Sequence, residues 1–239
     1  MQTRERWQSR FYKSHLLFPL IAWLAAVAIV QGMHLDLVLA DWLYALQNRT
    51  WALRNHWLAQ GVLHSAAQDL ARLAGVTLVL ALVAGKWIES LRKRRHALLY
   101  LFAATATSTV LIALFKKFSG VPCTWNLLRF GGTEAYASIW NWSSLDHSRG
   151  GCFPSGHAAV GYAWTAVYFL CLRYSRRWRW AGLAGPIVLG LIFGFAQQVR
   201  GAHFLSHDLW SLAICWLSSL LWFVGMFGPG QARSCEHPE

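Results

Sequence analysis

Charged residues are scarce in this sequence. Asp, Glu, Lys and Arg make up 13% of its 239 residues, whereas hydrophobic residues make up 56%. Soluble domains carry about a quarter charged residues, so the composition excludes an ordinary soluble protein and predicts an integral membrane protein. Acidic residues are scarcer still, and the net charge is +12. Because the basic residues cluster at the ends of apolar segments rather than in a separate polar domain, we expect no binding of nucleic acid.

Several familiar signals are also missing. The five cysteines include no C-x-x-C pair, which argues against a zinc site. The first apolar segment is long and no A-x-A-like site follows it, so we do not expect a cleaved signal peptide. No domain boundary, repeat or low-complexity segment is visible. The sequence therefore predicts a single integral-membrane domain over residues 1–239.

Long apolar segments dominate the rest of the chain. Each has the length of about 20 residues that a helix needs to cross a bilayer. They predict an all-α fold, a six-span transmembrane helical bundle with interfacial helices on its outer side. The expected spans are 15–33, 72–91, 96–115, 157–174, 180–199 and 208–227.

The basic residues predict the orientation of this bundle. They precede the first span, follow the sixth, and fill the connections between spans two and three and between four and five. The positive-inside rule makes that side, with both termini, cytoplasmic. The loops 34–71, 116–156 and 200–207 then lie outside. The tryptophan-rich 34–71 stretch is typical of interfacial helix.

Two cysteines, Cys123 and Cys152, fall in the same outward loop. In an oxidising compartment they can form a disulfide, which requires Cα atoms less than about 7 Å apart. The alternative is a pair of free thiols.

Chemically informative residues are concentrated at two places on the outer side. The first is Pro154-Ser155-Gly156-His157, where a loop enters an apolar helix. A glycine-containing turn at a helix start offers backbone N–H groups to a phosphate, and a histidine there can protonate a leaving oxygen. The second place is the segment 200–208, which precedes the last apolar helix and contains Arg200, His203, His207 and Asp208.

These two segments resemble the type 2 phosphatidic acid phosphatase superfamily. The family signature has three parts: a Lys, six residues and Arg-Pro; then Pro-Ser-Gly-His; then Ser-Arg, five residues, His, three residues and Asp. The second part is present unchanged at 154–157. The resemblance implies a helical bundle that brings the ends of several spans together around a phosphate.

The third part matches incompletely. Alignment on Gly201 and His203 makes His203 the equivalent of the family nucleophile. The family Arg position then holds Gln197, and the Asp position holds His207, with Asp208 one residue later. Arg200 lies one helical turn from Gln197 and can supply the missing guanidinium from the same face.

The first part is the weakest. Lys117 is present, but Thr124-Trp125 takes the place of Arg-Pro. Arg129 and Arg149 are the candidates to replace that arginine. These departures resemble those of a divergent bacterial subgroup of the family.

Phosphate-ester cleavage without a metal needs a nucleophile, an acid and several cations. His203 would attack phosphorus and form a phosphohistidine, oriented by Asp208 or, as the less favoured alternative, by His207. His157 would protonate the leaving oxygen. The phosphate would be bound by Lys117, Arg200, Arg149, Ser155 and the Gly156 N–H. A metal site on His203 and His207 is disfavoured because Phe204 stands where a metalloprotease motif has Glu, and we expect no cofactor.

The sequence therefore predicts a membrane-embedded phosphatase that hydrolyses a lipid phosphate or diphosphate at the periplasmic face of a bacterial inner membrane. Two alternatives remain open: a lipid phosphotransferase that uses the same intermediate, and a non-catalytic lipid-binding or transport protein. The residues choose neither the lipid nor an oligomeric state.

Overall fold

The computed structural model describes residues 2–57, 65–140, 146 and 151–229, and within them the chain is helical with no β-strand. Short 3₁₀ turns at Thr124–Asn126 and Leu128–Phe130 interrupt the longest connection. The α-helices are α1 (Gln2–Tyr12), α2 (Phe18–Gly32), α3 (Leu35–Leu46), α4 (Ser65–Ala84), α5 (Glu89–Lys93), α6 (Arg95–Phe118), α7 (Gly156–Tyr162), α8 (Ala166–Tyr174), α9 (Arg179–Val199) and α10 (Leu205–Phe227).

Four helical stretches of the described chain are long and apolar enough to cross a membrane: Glu5–Gly32, Arg95–Phe118, Arg176–Val199 and Leu205–Phe227. The first joins α1 to α2 through a π-helical turn at Lys13–Leu17. These stretches confirm a multi-pass membrane protein and four of the expected spans.

The other two expected spans differ from the prediction. The span expected at 72–91 is α4, which begins at Ser65 and ends at Ala84. Its early turns hold Asp69 and Arg72, an exposed ion pair at 3.0 Å that makes the helix less apolar. The span expected at 157–174 is divided into α7, a 3₁₀ turn at Ala163–Thr165 and α8.

Close packing of α7 on α9 positions the Pro-Ser-Gly-His segment. A side chain on Gly161 would collide with the backbone of Gly190, and one on Gly190 would collide with the ring of Tyr162. Two glycines therefore let the helix backbones approach more closely than other residues permit. As a result, the start of α7 lies beside the end of α9, which leads into the 200–208 segment.

Helix α3 and the turn after it cover one end of the bundle, where residues 119–155 and 200–204 connect the helices; we call it the site end. The Gln47 side chain holds that turn, because its amide donates to the Val199 carbonyl at 2.8 Å and accepts from the Leu53 N–H at 2.8 Å. The 34–71 stretch begins with helix α3 and then turns back at 47–57. Its last residues, from Ser65, belong to α4. Residues 58–64 lie outside the described chain.

Candidate active site

Backbone hydrogen bonds join the two motifs that the sequence singled out. The Ser155 N–H donates to the His207 carbonyl at 3.3 Å. The Ser211 hydroxyl lies 2.9 Å from both the Ser155 and the His207 carbonyl oxygens. Ser155 also caps α7, since its hydroxyl accepts from the Ala158 N–H at 3.5 Å. The start of α7 and the first turn of α10 therefore form one unit.

Two histidines of the 200–208 segment contact each other inside that unit. The Nδ1 atoms of His203 and His207 are 3.4 Å apart, and both residues are buried. Phe153 packs edge-on against the His207 ring at a centroid distance of 5.3 Å. This contact engages Nδ1 of His203, and a neutral imidazole has a second ring nitrogen, Nε2, that can act as the nucleophile.

The surroundings of His203 favour its neutral form. Burial lowers its pKa well below the usual 6.5, and the charges of His207, Lys116 and His157 lower it further. The backbone carbonyl of Cys152 opposes this shift. A neutral imidazole has a free electron pair, so His203 is in the protonation state that a nucleophile requires at neutral pH.

Asp208, expected to orient His203, makes a different contact. Its Oδ2 accepts from the Gln198 amide at 2.6 Å, and its Oδ1 accepts no hydrogen bond from the part of the chain that the structure describes. Asp208 is thus held by Gln198 on α9 in this structure, and its role in orienting His203 stays a prediction. Because 100° separates consecutive residues of a helix, Asp208 faces α9 at Gly194 while His207 faces His203. The less favoured alternative, His207, makes the contact.

The lysine near the histidines is Lys116 rather than Lys117. Lys116 is half-buried, and its charge acts on His203. Lys117 is exposed, with its ammonium 5.4 Å from the ring of Phe118. Lys117, the predicted ligand, therefore points away from the buried histidines, whereas Lys116 is the lysine whose charge acts on them. Counting six residues on from Lys116 places Cys123-Thr124, rather than Thr124-Trp125, at the Arg-Pro position of the signature.

Arg200 lies where the sequence placed it, beside Gln197. Its guanidinium donates to the Gln197 side-chain oxygen at 3.1 Å and to the Arg54 carbonyl at 2.9 Å. Burial and the charge of Arg54 lower its pKa. The turn that follows requires glycine: Gly201 has φ +75°, and a Cβ there would lie 2.6 Å from the Trp51 ring.

Arg129, one of the two remaining arginine candidates, is engaged away from the histidine pair. Arg129 forms a bidentate ion pair with Asp41, at 2.7 and 2.6 Å, on the surface. Its guanidinium is thus already neutralised by a carboxylate. Arg149 falls outside the described residues.

The expected disulfide between Cys123 and Cys152 is present, with Cα atoms 5.0 Å apart. The Cys152 N–H donates to the Val121 carbonyl at 2.8 Å, and the Gly151 N–H donates to the Lys116 carbonyl at 2.8 Å. The disulfide therefore fixes the segment whose carbonyl faces His203, and ties it to the end of α6.

One buried acid at the site escaped the sequence analysis. Asp36, in the first turn of α3, is 5% exposed, and its Oδ1 accepts from the Ser206 N–H at 2.9 Å. Desolvation raises its pKa, and the hydrogen bonds from Ser206 and Leu205 oppose that rise. The sequence signal for this residue is that Asp36 lies between two leucines. Burial of a carboxylate among apolar residues costs free energy unless it has a hydrogen-bond partner.

Fold and site together define a multi-pass membrane protein with a buried histidine pair at one end of a helical bundle. The family model of the PAP2 superfamily matches residues 97–229, more than half of the chain, and the protein belongs to that superfamily. Its members are phosphatases that act on phosphate esters. No curated protein and no solved structure matches the chain significantly.

Proposed function

We propose that this protein is a lipid phosphatase that hydrolyses a phosphate or diphosphate head group through a phosphohistidine on His203. The observation that carries the proposal is the contact between the Nδ1 atoms of His203 and His207, which supports Nε2 of the buried, neutral His203 imidazole as the nucleophile. The active site would face the periplasm of a bacterial inner membrane. Arginines and lysines gathered at the opposite end of the bundle, in 92–95 and 173–179, support that orientation.

In the first step, the Nε2 electron pair of His203 attacks phosphorus while the bond from phosphorus to the leaving oxygen breaks. His203 keeps its proton on Nδ1, where it donates to the Nδ1 of His207. His157 gives its proton to the leaving oxygen, so the lipid alcohol or monophosphate departs neutralised at that atom. The charge of His157 acts on His203, which supports a shared site for the two imidazoles.

In the second step, water attacks the phosphohistidine. His157, now neutral, takes a proton from that water, the bond between nitrogen and phosphorus breaks, and its electron pair returns to Nε2 of His203. Inorganic phosphate leaves, and both histidines regain their starting protonation states.

Lys116, in place of the predicted Lys117, and Arg200 would neutralise the phosphoryl oxygens. Ser155 and the Gly156 N–H would add neutral donors, and Arg149 remains a candidate ligand. A buried guanidinium suits this role, because it cannot lose its proton and forms paired hydrogen bonds with phosphate oxygens. In the proposed mechanism these cations neutralise the transferring group.

A lipid substrate is supported by the position of the histidines. They lie at the end of α9 and the start of α10, so a bilayer crossed by these helices would have its head groups near the histidines. The apolar helix faces beside them are exposed, so a substrate can approach laterally from the bilayer.

Phosphate release by the purified protein in detergent or vesicles tests the proposal. His203→Ala should abolish release, whereas the matched control His96→Ala, an exposed histidine near the opposite end of α6, should leave it unchanged. Activity should survive excess EDTA. A strict divalent-metal requirement, or full activity in His203→Ala, would overturn the mechanism. Transfer of the phosphoryl group to an added lipid alcohol rather than to water would instead identify a phosphotransferase.

A further inference from the structure

A groove of about 340 Å³ lies between the first span and the helices α9 and α10. Its lining in the described chain is entirely apolar. On the first span it includes Trp23, Ala22 and Ala26; on α10 it includes Leu209 and Ala213; on α9 it reaches Leu183. The groove begins at Leu209, one residue after Asp208, and runs away from the site end along α10.

A continuous row of α10 side chains connects this groove to the histidine pair. His207, Trp210, Ala213 and Trp216 are spaced by three residues, so they are successive neighbours on the helix surface. His207 belongs to the candidate site, and Ala213 and Trp216 line the groove. Because Ala213 is small, it leaves space between Trp210 and Trp216, and this space is part of the groove.

Aromatic rings cover the same route. Phe153 contacts both His207, at a centroid distance of 5.3 Å, and Trp210, at 5.7 Å. Trp210 contacts Trp23 edge-on at 4.6 Å, and the Trp23 indole donates to the Leu209 carbonyl at 3.1 Å. The surface that leads from the histidines to the groove is therefore apolar and held in place.

The first span lies before residue 97, outside the part of the chain that matches the family model. The first span packs beside α10 and α9, and the apolar groove is the space that remains between them. It passes over about 12 Å of α10, from Leu209 to Leu217, at 1.5 Å per residue.

We infer that this groove binds one hydrocarbon chain of the substrate while its phosphate lies at His203. The inference rests on the proposed function for the position of the phosphate. It makes the first span the part of the protein that selects substrates by chain length. Each methylene buried in the groove favours binding, so long-chain lipid phosphates are preferred over short or soluble phosphate esters.

A filled groove tests the inference. Ala26→Phe places a ring in the groove, and Ala25→Phe places the same ring on the neighbouring exposed position as a matched control. For wild type, Ala25→Phe and Ala26→Phe, kcat/KM is measured for hexadecyl phosphate and for p-nitrophenyl phosphate. We expect Ala26→Phe to lower the ratio of the two values at least tenfold and Ala25→Phe to leave the ratio within twofold of wild type. An unchanged ratio in Ala26→Phe would overturn the inference.

A binding measurement separates the groove from the chemistry. A hexadecyl phosphonate with a diazirine at its last carbon is photolysed with each protein, and labelled residues are located by mass spectrometry. We expect labels at the inner groove, near Leu183 and Leu217, reduced at least fivefold in Ala26→Phe alone. Labels spread equally over exposed positions such as Leu191 and Leu221 would mean that bulk lipid fills the groove. If the wild-type protein is labelled in the groove but hydrolyses no substrate, the proposed function is refuted and binding of the hydrocarbon chain in the groove still holds.

Discussion

The carboxylate of Asp36 accepts a hydrogen bond from the backbone N–H of Ser206, 170 positions away in the sequence. Ser206 is the second residue of α10, so Asp36 caps that helix from α3. The capped turn contains His207 and begins two residues after His203. The aromatic contact between Tyr136 and Phe204, at 5.9 Å, closes the same region from the loop side. Asp36 is therefore placed to hold the histidine pair at the site end.

Asp36→Ala should destabilise the protein by about 1 kcal/mol or more, because the loss of a cap costs that much and the site is buried. It should also lower kcat by more than KM changes, since the histidines lose their fixed position. Asp36→Asn keeps an acceptor oxygen and should restore most of both losses. Thermal unfolding and steady-state kinetics measure the two effects. Equal behaviour of the Ala and Asn variants would contradict the capping role.

Lys116→Met should lower kcat/KM at least a hundredfold, whereas Lys117→Met should leave it within about twofold. Of the two lysines, Lys116 is the one whose charge acts on His203. Removal of a cation that neutralises a phosphoryl group costs several kcal/mol in the transition state. The pH profile gives a second measurement: the Lys116 charge lowers the pKa of His203, so Lys116→Met should move the acidic limb to higher pH. The reverse ranking of the two lysines would restore the original assignment.

The pH dependence of the wild-type enzyme follows from the lowered pKa of His203. His203 attacks when neutral, so the acidic limb of kcat/KM should lie below pH 6.5, and the need for a protonated His157 should produce the basic limb. The stability of the folded protein should also decrease at acidic pH. Unfolded histidine binds a proton below about pH 6.5 and the buried one does not, so the free energy of unfolding should decrease as pH falls from 6.5. An acidic limb above pH 6.5 would contradict this account.

His207→Asp should restore the acid of the family signature at the position that contacts His203. A carboxylate stabilises the cationic phosphohistidine better than a neutral imidazole does, so we expect activity at or above wild type. The carboxylate should also raise the pKa of His203, which moves the acidic limb of the profile to higher pH. His207→Ala should retain a measurable fraction of activity, in contrast to His203→Ala. Complete inactivity of His207→Asp would show that the contact requires an imidazole.

Cys152→Ser should lower stability by about 3.6 kcal/mol, the value expected in the chain-entropy model for a closed loop of this size. Activity should also fall, because Cys152 carries the carbonyl that faces His203. Cys171→Ser, outside the disulfide, serves as the control and should behave as wild type. Reduction of the wild-type protein should reproduce the effect of Cys152→Ser, as measured by thermal unfolding and phosphate release. Unchanged stability in the reduced protein would contradict a stabilising role of this disulfide.

Much of this protein was predictable from local sequence. Scarcity of charge and long apolar segments predicted a helical membrane protein, since a backbone in lipid must satisfy its own hydrogen bonds. Pro154-Ser155-Gly156-His157 identified the family that the comparison with the PAP2 model confirmed. The disulfide was predictable because both cysteines share one loop. These features depend on composition, or on residues close together in the chain.

The tertiary structure decided the choices between neighbours. Lys116 and Lys117 are identical neighbours, and His207 and Asp208 are neighbouring candidates for one role, but successive helical residues point 100° apart. Which member of each pair faces His203 depends on how α6 and α10 are rotated in the bundle. Asp36 reaches Ser206 only because α3 folds across the end of α10, and the groove exists only between packed helices. Sequence thus determined which chemical groups are present at the site end, and packing decided which of them meet.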